Sequence, residues 1–248
     1  MFTMQLLHLD ELRGALIRQE ETIIFALIER AQFKQNSIIY KINGLPIGDT
    51  RTSFLDYLLL ETEKLHAKVR RYTSPDEYPF FNGLPEPILA PLDYPSVIVE
   101  KSINLNPKIH EIYQRDLIPK ICAQGDDLNY GSSATCDVAC LQALSKRIHY
   151  GKFVAEVKFQ KDPETFRRLI KSEDRSGLLE SVTDGRVEEK LLRRVEQKAA
   201  MYGRDNETEG DSNGYKIAPN MVKFIYEHWI IPLTKEVEVE YLIRRSDE

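Results

Sequence analysis

Residues 133–160, which read SATCDVACLQALSKRIHYGKFVAEVKFQ, carry the pattern that decides the fold class. Apolar side chains recur along this stretch at the spacing of an amphipathic helix, and no proline interrupts it. The same period predicts further helices at 5–33, 52–72, 108–123, 162–171, 174–181, 186–202 and 219–245. No window alternates polar and apolar residues long enough to predict a sheet. We therefore expect an all-α fold, with one large helical-bundle domain over residues 1–248.

Two stretches interrupt the helical pattern. Residues 73–107 hold seven of the twelve prolines, and a loop of this length inside a compact domain is usually functional or disordered. Its aromatic side chains indicate that it packs against the domain. Residues 203–216 are polar, and we expect them to form a mobile surface loop.

The composition limits the class of protein. Hydrophobic residues make up 42% of the 248 residues and the formal net charge is −5, with lysine and arginine spread along the chain. This spread argues against nucleic-acid binding, which needs a basic patch, and no apolar run approaches a membrane span. Cys122, Cys136 and Cys140 are too few for a disulfide framework and indicate a reducing compartment. The N-terminus lacks signal and transit patterns. We expect the cytoplasm for the sequence as it stands, or a plastid if a transit peptide has been removed.

Charged residues fall on the apolar faces of several predicted helices. Because each residue turns a helix by about 100°, faces can be assigned by counting. In 133–160, Arg147 and Lys158 are eleven residues apart, so they face alike and lie about 16 Å apart along the axis. Small residues between them, such as Gly151, leave room for an anion. In 5–33, Arg13 shares its face with Glu20 and with the apolar residues Leu9, Leu16, Ile17, Ile24, Leu27, Ile28 and Ala31.

Two carboxylates complete this set of inward-facing charges. Glu188 lies on the apolar face of 186–202, and Glu238 lies on that of 219–245. Together with the three cations they indicate a pocket for a small polyanion between helices. The alternative is that each charge makes an interior ion pair or reaches water from the edge of its face, since charged groups are seldom buried unpaired.

Motifs for nucleophilic or metal chemistry are missing. The sequence has no glycine-rich phosphate loop and no nucleophile elbow. Glu63 and His66 match half of a di-iron motif whose other half is absent, so we expect no metal there. Cys136 and Cys140 are predicted to be packed thiols, and His149 has no obvious nucleophilic partner. A pocket of fixed charges without a nucleophile suits a reaction that depends on electrostatic stabilisation and conformational restraint.

Four segments resemble blocks of the eukaryotic chorismate mutases, which are all-helical, dimeric, allosteric enzymes of fungi and plants. The resemblance is collinear from residue 9 to residue 245, and residues 63–68 and 125–132 are more similar to the plant branch. It implies the rearrangement of chorismate to prephenate, in phenylalanine and tyrosine biosynthesis, without a cofactor. The four segments are LIRQEETIIF at 16–25, RRYTSPDE at 70–77, LSKRIHYGKFVAEVKF at 144–159 and PLTKEVEVEYL at 232–242.

The resemblance also implies a catalytic set. Arg13 and Arg147 match the two arginines that bind the two carboxylates of the substrate in this family. The bidentate geometry of a guanidinium suits it to a carboxylate. Lys158 matches the lysine that donates to the ether oxygen of the substrate, where negative charge develops. Glu238 matches a second donor to that oxygen and has to be protonated, Glu188 matches the partner of the substrate hydroxyl, and the threonine gives a supporting contact. The set, carried by predicted helices 5–33, 133–160, 186–202 and 219–245, is Arg13, Arg147, Lys158, Glu188, Thr234 and Glu238.

The resemblance further implies a homodimer with an effector site at its two-fold interface. The effectors are aromatic amino acids: tyrosine and phenylalanine inhibit, and tryptophan activates. Gly131 and Ser132 fit independently, because the start of the predicted helix at 133 offers N–H groups to a carboxylate, although an N-cap alone would explain Ser132. We expect residues 73–107 to transmit the effector's change. The matching residues, in a regulatory region at about 70–135, are Arg70, Arg71, Asn129, Gly131, Ser132 and Thr135.

Some positions depart from the family's patterns. Asp184 stands where fungal enzymes have an asparagine, and Ala218 stands where they have a threonine associated with switching. Some plant enzymes have glutamine at the position of Glu238, and the glutamate here predicts activity that falls as pH rises through a raised pKa. The alternatives are a catalytically silent homologue that binds aromatic amino acids or chorismate, an effector-insensitive mutase, another chorismate enzyme such as a lyase, and a helical scaffold with interior ion pairs.

Overall fold

The chain is built from α-helices, in a computed structural model that describes residues 9–48, 51–92, 94, 98–99, 103–204 and 214–245. Within these ranges there is no β-strand, so the predicted all-α fold is confirmed. The helices are α1 Leu9–Ala31, α2 Phe54–Lys68, α3 Asn106–Ile112, α4 Ile118–Ile121, α5 Tyr130–His149, α6 Gly151–Lys161, α7 Pro163–Lys171, α8 Arg175–Val182, α9 Gly185–Tyr202, α10 Pro219–Ile225 and α11 Ile231–Arg244.

The predicted helix at 133–160 is two helices. α5 begins at Tyr130 and ends at His149, and α6 begins at Gly151 after a turn centred on Tyr150. Ser132 therefore lies inside the first turn of α5, and the suggestion that it is the N-cap is wrong, because Asn129 occupies that position. The apolar period continues across the break, which is why counting alone did not locate it.

Two π-helical turns replace continuous α-helix elsewhere. Tyr113–Leu117 joins α3 to α4, and Tyr226–Ile230 joins α10 to α11. α4 and α11 each have a proline in the first turn, and proline cannot donate to the helical ladder. The predicted helices at 108–123 and 219–245 are thus each composed of two α-helices and a π turn.

α5 lies at the centre of the bundle. It packs against α1, α2, α3 and α11, while α1 also contacts α9 and α11 also contacts α6 and α8. The four predicted catalytic helices therefore adjoin one another around a shared interior. Within the described ranges, no helix is both long and apolar enough to cross a membrane.

The loop that follows α2 is anchored to the bundle, as its aromatic residues predicted. The backbone N–H groups of Phe80 and Phe81 donate to the buried carboxylate of Glu63, at 2.8 Å for the closer group. Both phenylalanine rings pack against the core. Glu63 thus anchors the loop to α2. The other predicted loop, 203–216, lies mostly outside the described residues.

A buried ion pair not predicted from the sequence joins α1 to α5. Arg30 Nε lies 2.6 Å from Asp137 Oδ1, and both side chains are fully buried. Arg30 also donates to the carbonyls of Phe33, Lys34 and Gln35, which hold the turn after α1. The pair therefore fixes both the contact between the two helices and the path of the chain that leaves α1.

Arg30→Met is expected to lower the free energy of unfolding by about 3–5 kcal/mol, because it leaves Asp137 buried without its cation. Urea denaturation followed by circular dichroism measures the loss. The matched control is Lys64→Met, which removes an exposed pair with Glu61 (2.7 Å) and should change stability by less than about 1 kcal/mol. Equal effects of the two substitutions would contradict this assignment.

Candidate functional site

Arg147 is a buried cation in the last turn of α5. Arg147 is only 4% exposed. One of its terminal guanidinium nitrogens donates to the hydroxyl of Thr234 on α11 at 3.3 Å. Among the described residues, its Nε–H has no hydrogen-bond acceptor. Burial lowers the pKa of Arg147, because desolvation disfavours the charged form. A buried guanidinium with an unsatisfied donor is costly, and it indicates an anionic ligand.

Lys158 and Glu238 meet across the interface of α6 and α11. Lys158 Nζ lies 2.8 Å from Glu238 Oε2 and also donates to the carbonyl of Val182 at the end of α8. Glu238 is 4% exposed. Burial raises the pKa of Glu238 above its ordinary value of 4.5, and the positive charge of Lys158 only partly opposes this effect. The site thus pairs a fixed cation with a carboxyl group that is easily protonated.

Gly151 explains how α6 and α11 approach so closely. A Cβ atom at this position would lie 2.7 Å from the carbonyl oxygen of Thr234. The expectation that small residues here leave room for an anion is therefore wrong for Gly151, because backbone of α11 occupies the space. Its small size instead brings Lys158 within reach of Glu238.

Gly151→Ala is expected to lower the free energy of unfolding by about 1–3 kcal/mol, since the added methyl group overpacks a backbone contact. It should also lower kcat, because α6 has to move away from α11 and carries Lys158 with it. Gly14→Ala is the matched control, because its nearest neighbour is the flexible end of Arg18 at 3.6 Å. Thermal denaturation and steady-state kinetics measure the two effects. A fully active and stable Gly151→Ala protein would show that the close approach is dispensable.

Glu188 lies in the first turn of α9 and is half-buried. Its carboxylate pairs with Lys235 of α11, with 2.7 Å between Nζ and Oε1. Asp184 is the N-cap of the same helix and accepts hydrogen bonds from the N–H groups of Arg186 and Val187, at 3.1 and 3.2 Å. Asp184 therefore positions the turn that carries Glu188, a capping function that its place before the helix could have predicted.

Arg13 has an exposed side chain, whereas its face on α1 predicted one directed to the core. Ile17, one turn further, is 37% exposed as well. Counting along a helix gives a direction, but it does not show whether another helix covers that direction. Ile24 and Ile28, on later turns of the same face, are buried as expected.

Contacts between α1 and α9 predict where Arg13 lies relative to the site. The two helices run parallel, because Glu20 pairs with Arg194 and, further along both helices, Phe25 stacks on Tyr202 at 4.7 Å. Continued toward the N-terminal ends, this pairing predicts that Arg13 lies near the first turn of α9, which carries Glu188. We therefore expect Arg13 at the exposed end of the same interior.

Glu20 is part of an ion-pair network behind the site. Arg194 contacts both of its oxygens, the closer at 2.5 Å, and Lys198 lies 3.3 Å from one of them. For Glu20 the alternative of an interior ion pair is therefore correct. Tyr226 was missed by sequence reasoning; its ring is fully buried, and its hydroxyl has no hydrogen-bond partner among the described residues. Lys235 was missed as well, although it adjoins Thr234.

The residues expected to bind an effector form two separate groups within one chain. Arg71 contacts Glu77 at 3.0 Å and Gln142 of α5 at 2.8 Å, and Arg70 donates to the carbonyl of Ala90. The second group lies about 15 Å away along α5 from Gln142, at the start of the helix. Its members are Asn129, Gly131, Ser132 and Thr135, and all are exposed.

The remaining candidates have structural roles. Burial lowers the pKa of His149 to about 4, so its imidazole is neutral, and Nε2 accepts the N–H of Leu105 at 2.8 Å. Burial raises the pKa of Cys140 and of Cys136, which keeps both thiols protonated. In the described part of the chain, no group of three or more histidine, cysteine or acidic residues could hold a metal ion. Ala218 precedes α10 and has no side-chain group that could cap it.

The arrangement binds and stabilises charge. It provides guanidinium donors for an anion, an ammonium group beside a protonatable carboxyl group, and a carboxylate that can accept from a hydroxyl. No nucleophile is poised among these residues. Such a site can restrain a flexible dianion and stabilise negative charge that develops on an oxygen.

A family profile, related sequences and solved structures all match this chain to one protein family. The sequence profile of the family described as chorismate mutase type II matches residues 129–239. Chorismate mutase 1, chloroplastic, of Petunia hybrida is 50% identical over 246 residues, which cover 96% of this chain and 76% of the relative. The similarity therefore extends well beyond the part matched by the profile.

Solved structures share the whole fold. The chorismate mutase Aro7p from Candida albicans, in complex with L-Trp, has a TM-score of 0.91 at 42% identity, over 99% of this chain and 95% of that one. AtCM1, with tyrosine bound in its allosteric site, has a TM-score of 0.89 at 49% identity, over 97% of each chain.

Proposed function

The chain belongs to the chorismate mutase family, and we propose that it rearranges chorismate to prephenate in the interior between α1, α5, α6, α9 and α11. The observation that carries this assignment is the buried guanidinium of Arg147, which has an unsatisfied N–H and lies near Thr234. The proposed catalytic residues are Arg13, Arg147, Lys158, Glu188, Thr234 and Glu238.

Arg147 and Arg13 bind the substrate. Arg147 offers its Nε–H and a terminal nitrogen to one carboxylate of chorismate, a bidentate geometry that lysine cannot supply. Arg13, expected at the exposed end of the interior, binds the other carboxylate. Fixing both ends of the dianion holds it in the compact conformer in which the reacting carbons meet.

The transition state is stabilised by Lys158 and Glu238. Their polar atoms are 2.8 Å apart, so one ether oxygen can contact both groups. As the C–O bond breaks, negative charge grows on that oxygen, and two fixed donors in a desolvated site stabilise it. Glu238 donates only when protonated, which its raised pKa favours. Glu188, oriented by Lys235, accepts from the substrate hydroxyl.

Regulation requires a second copy of the chain. The Candida albicans relative binds L-Trp, and AtCM1 binds tyrosine in an allosteric site. We propose one domain over residues 1–248, whose regulatory region at about 70–135 binds tyrosine, phenylalanine or tryptophan. Arg70 and Arg71 lie too far from Gly131 and Ser132 within one chain, so a homodimer brings the two groups together.

An exposed apolar surface next to Arg70 supports this dimer. The main chain of Ile88 donates to the carbonyl of Lys68 at 2.9 Å, which ties the loop to the end of α2. The apolar side chains exposed around this tie are Leu65, Val69, Ile88, Leu89 and Leu92, with Ile88 the most exposed at 75%. A cluster of exposed apolar residues of this kind marks an interaction surface.

The test is an assay of purified protein with chorismate, alone and with each aromatic amino acid, together with its mass in solution by sedimentation. We expect prephenate as the product, slower conversion with tyrosine or phenylalanine, faster conversion with tryptophan, and a dimer. If none of the three amino acids changes the rate of conversion, the protein is an effector-insensitive mutase and the proposed effector site is contradicted. No conversion by folded protein would instead favour a silent homologue.

A further inference from the structure

Lys152 is a fully buried lysine that the proposed reaction does not use. It lies in the first turn of α6, and its Nζ donates to the hydroxyl of Tyr78 at 2.5 Å. The same nitrogen lies 3.8 Å from the centroid of the tyrosine ring. A desolvated cation over an aromatic ring is a strong contact. Lys152 thus ties the first turn of α6 to Tyr78 by both a hydrogen bond and a cation–π contact.

Tyr78 touches both sides of the break between α5 and α6. Its ring packs on His149, the last residue of α5, with 4.5 Å between the centroids. Its hydroxyl accepts from Lys152 and donates to the carbonyl of Pro75 at 2.9 Å, so it bridges α6 to the loop. A change in the position of Tyr78 would therefore act on the angle between the two helices.

Ion pairs connect Tyr78 to the predicted effector arginines. Glu77, its neighbour, lies 3.0 Å from Arg71 and 2.8 Å from Lys146 of α5. Asp76 lies 3.0 Å from the same lysine. An anionic ligand that binds Arg71 thus competes with the carboxylate of Glu77 for the guanidinium, and Glu77 directly precedes Tyr78.

The break lies between the two catalytic cations. Arg147 precedes it on α5, and Lys158 follows it on α6. A dianion held by Arg147 has to present its ether oxygen to Lys158, so the angle at the break sets whether both groups engage one substrate. Gly151, packed against Thr234, keeps the first turn of α6 close to α11 while this angle is set.

We propose that the contact between Tyr78 and Lys152 couples the effector site to catalysis by setting the junction of α5 and α6, and with it the spacing of Arg147 and Lys158. Both are positioning residues, since neither touches the reacting atoms. This inference rests on the effector site proposed above and adds the route by which that site acts.

The test uses Lys152→Met, which keeps the length of the side chain but removes the charge, and Tyr78→Phe, which keeps the ring and removes the bridging hydroxyl. The control is Lys120→Met, because Lys120 makes an exposed cation–π contact with Phe224, 5.2 Å from the ring centroid. Calorimetry measures binding of L-tyrosine and L-tryptophan to each dimer. Steady-state kinetics give the ratio of the chorismate KM with tyrosine to that with tryptophan.

We expect Lys152→Met to bind both effectors within about threefold of the wild-type Kd while the KM ratio falls to about 1, the value without coupling. Tyr78→Phe should give an intermediate ratio, and Lys120→Met the wild-type ratio. A wild-type ratio in folded Lys152→Met would overturn the coupling route alone. If that variant does not fold, a wild-type ratio in Tyr78→Phe would do the same. No binding heat from the wild-type protein would overturn the effector site itself, and the route with it.

Discussion

Arg147→Met is expected to lower kcat/KM for chorismate about 10³-fold, while the free energy of unfolding stays unchanged or rises. The loss of activity follows because a buried, pre-oriented cation that binds a carboxylate contributes several kcal/mol, and about 1.4 kcal/mol corresponds to tenfold. Stability should not fall, because Arg147 is only 4% exposed and its burial already disfavours the charge. Replacing such a group with an apolar side chain of similar length is often neutral or stabilising.

Steady-state kinetics and urea denaturation of the same preparation separate the two effects. The control is Arg193→Met, which removes an exposed arginine that pairs with Glu189 on the outer face of α9. It should leave both quantities within about twofold and about 0.5 kcal/mol of wild type. An unfolded Arg147→Met protein would show that Arg147 is a structural residue, and a folded one that retains a tenth of the activity would contradict its role in binding the substrate.

Glu238→Ala is expected to lower kcat about 10²- to 10³-fold, the usual effect of removing one donor to a developing oxyanion. Glu238→Gln should retain much of the activity and differ mainly in its pH dependence. In the wild-type protein only the protonated carboxyl group donates, and burial raises its pKa above 4.5. Activity is therefore present below that pKa and is lost as pH rises through it, whereas the amide does not titrate.

Profiles of kcat/KM against pH for the wild type and Glu238→Gln measure this difference. The descending limb assigned to Glu238 should be absent in the amide variant, and the limb should reappear in Glu238→Asp. Identical profiles for wild type and Glu238→Gln would contradict the role of Glu238 as a protonated donor.

The fold could be predicted from the sequence because helical apolar periodicity is strong over long stretches. α1 and α11 lie within predicted helices, α5, α6 and α9 extend at most three residues beyond the predicted bounds, and their neighbours were close to the predicted bounds. Local deviations could not be predicted in the same way. The break at Tyr150 and the π turn at 226–230 are each no longer than about one turn, so they are too short to interrupt the apolar pattern that identifies a long helix.

The site could be predicted only in part, because counting assigns faces and not neighbours. It correctly gave buried positions to Arg147 and Glu238, which lie where other helices cover them. The face assigned to Arg13 predicted a buried side chain, whereas that side chain is exposed. Gly151 was interpreted as space for a ligand, and the structure shows it as a contact with the backbone of Thr234, a distinction that depends on tertiary packing.

Contacts between residues that are far apart in the chain could not be predicted from the sequence. Lys152 and Tyr78 are 74 residues apart, and Arg30 and Asp137 are 107 residues apart. A single sequence places each of these residues on a helix or a loop but does not pair them. The pairing of Lys235 with Glu188 is another example, and it explains how a carboxylate at the first turn of α9 is oriented toward α11.

Calorimetric titration with prephenate, the product, tests the central assignment most directly, because it reports occupation of the site without turnover. The wild-type protein and Lys120→Met should each bind one prephenate per chain, and folded Arg147→Met should bind none that can be measured. Unchanged binding of prephenate to Arg147→Met, or no binding to folded wild-type protein, would contradict the assignment of the reaction to the interior between α1, α5, α6, α9 and α11.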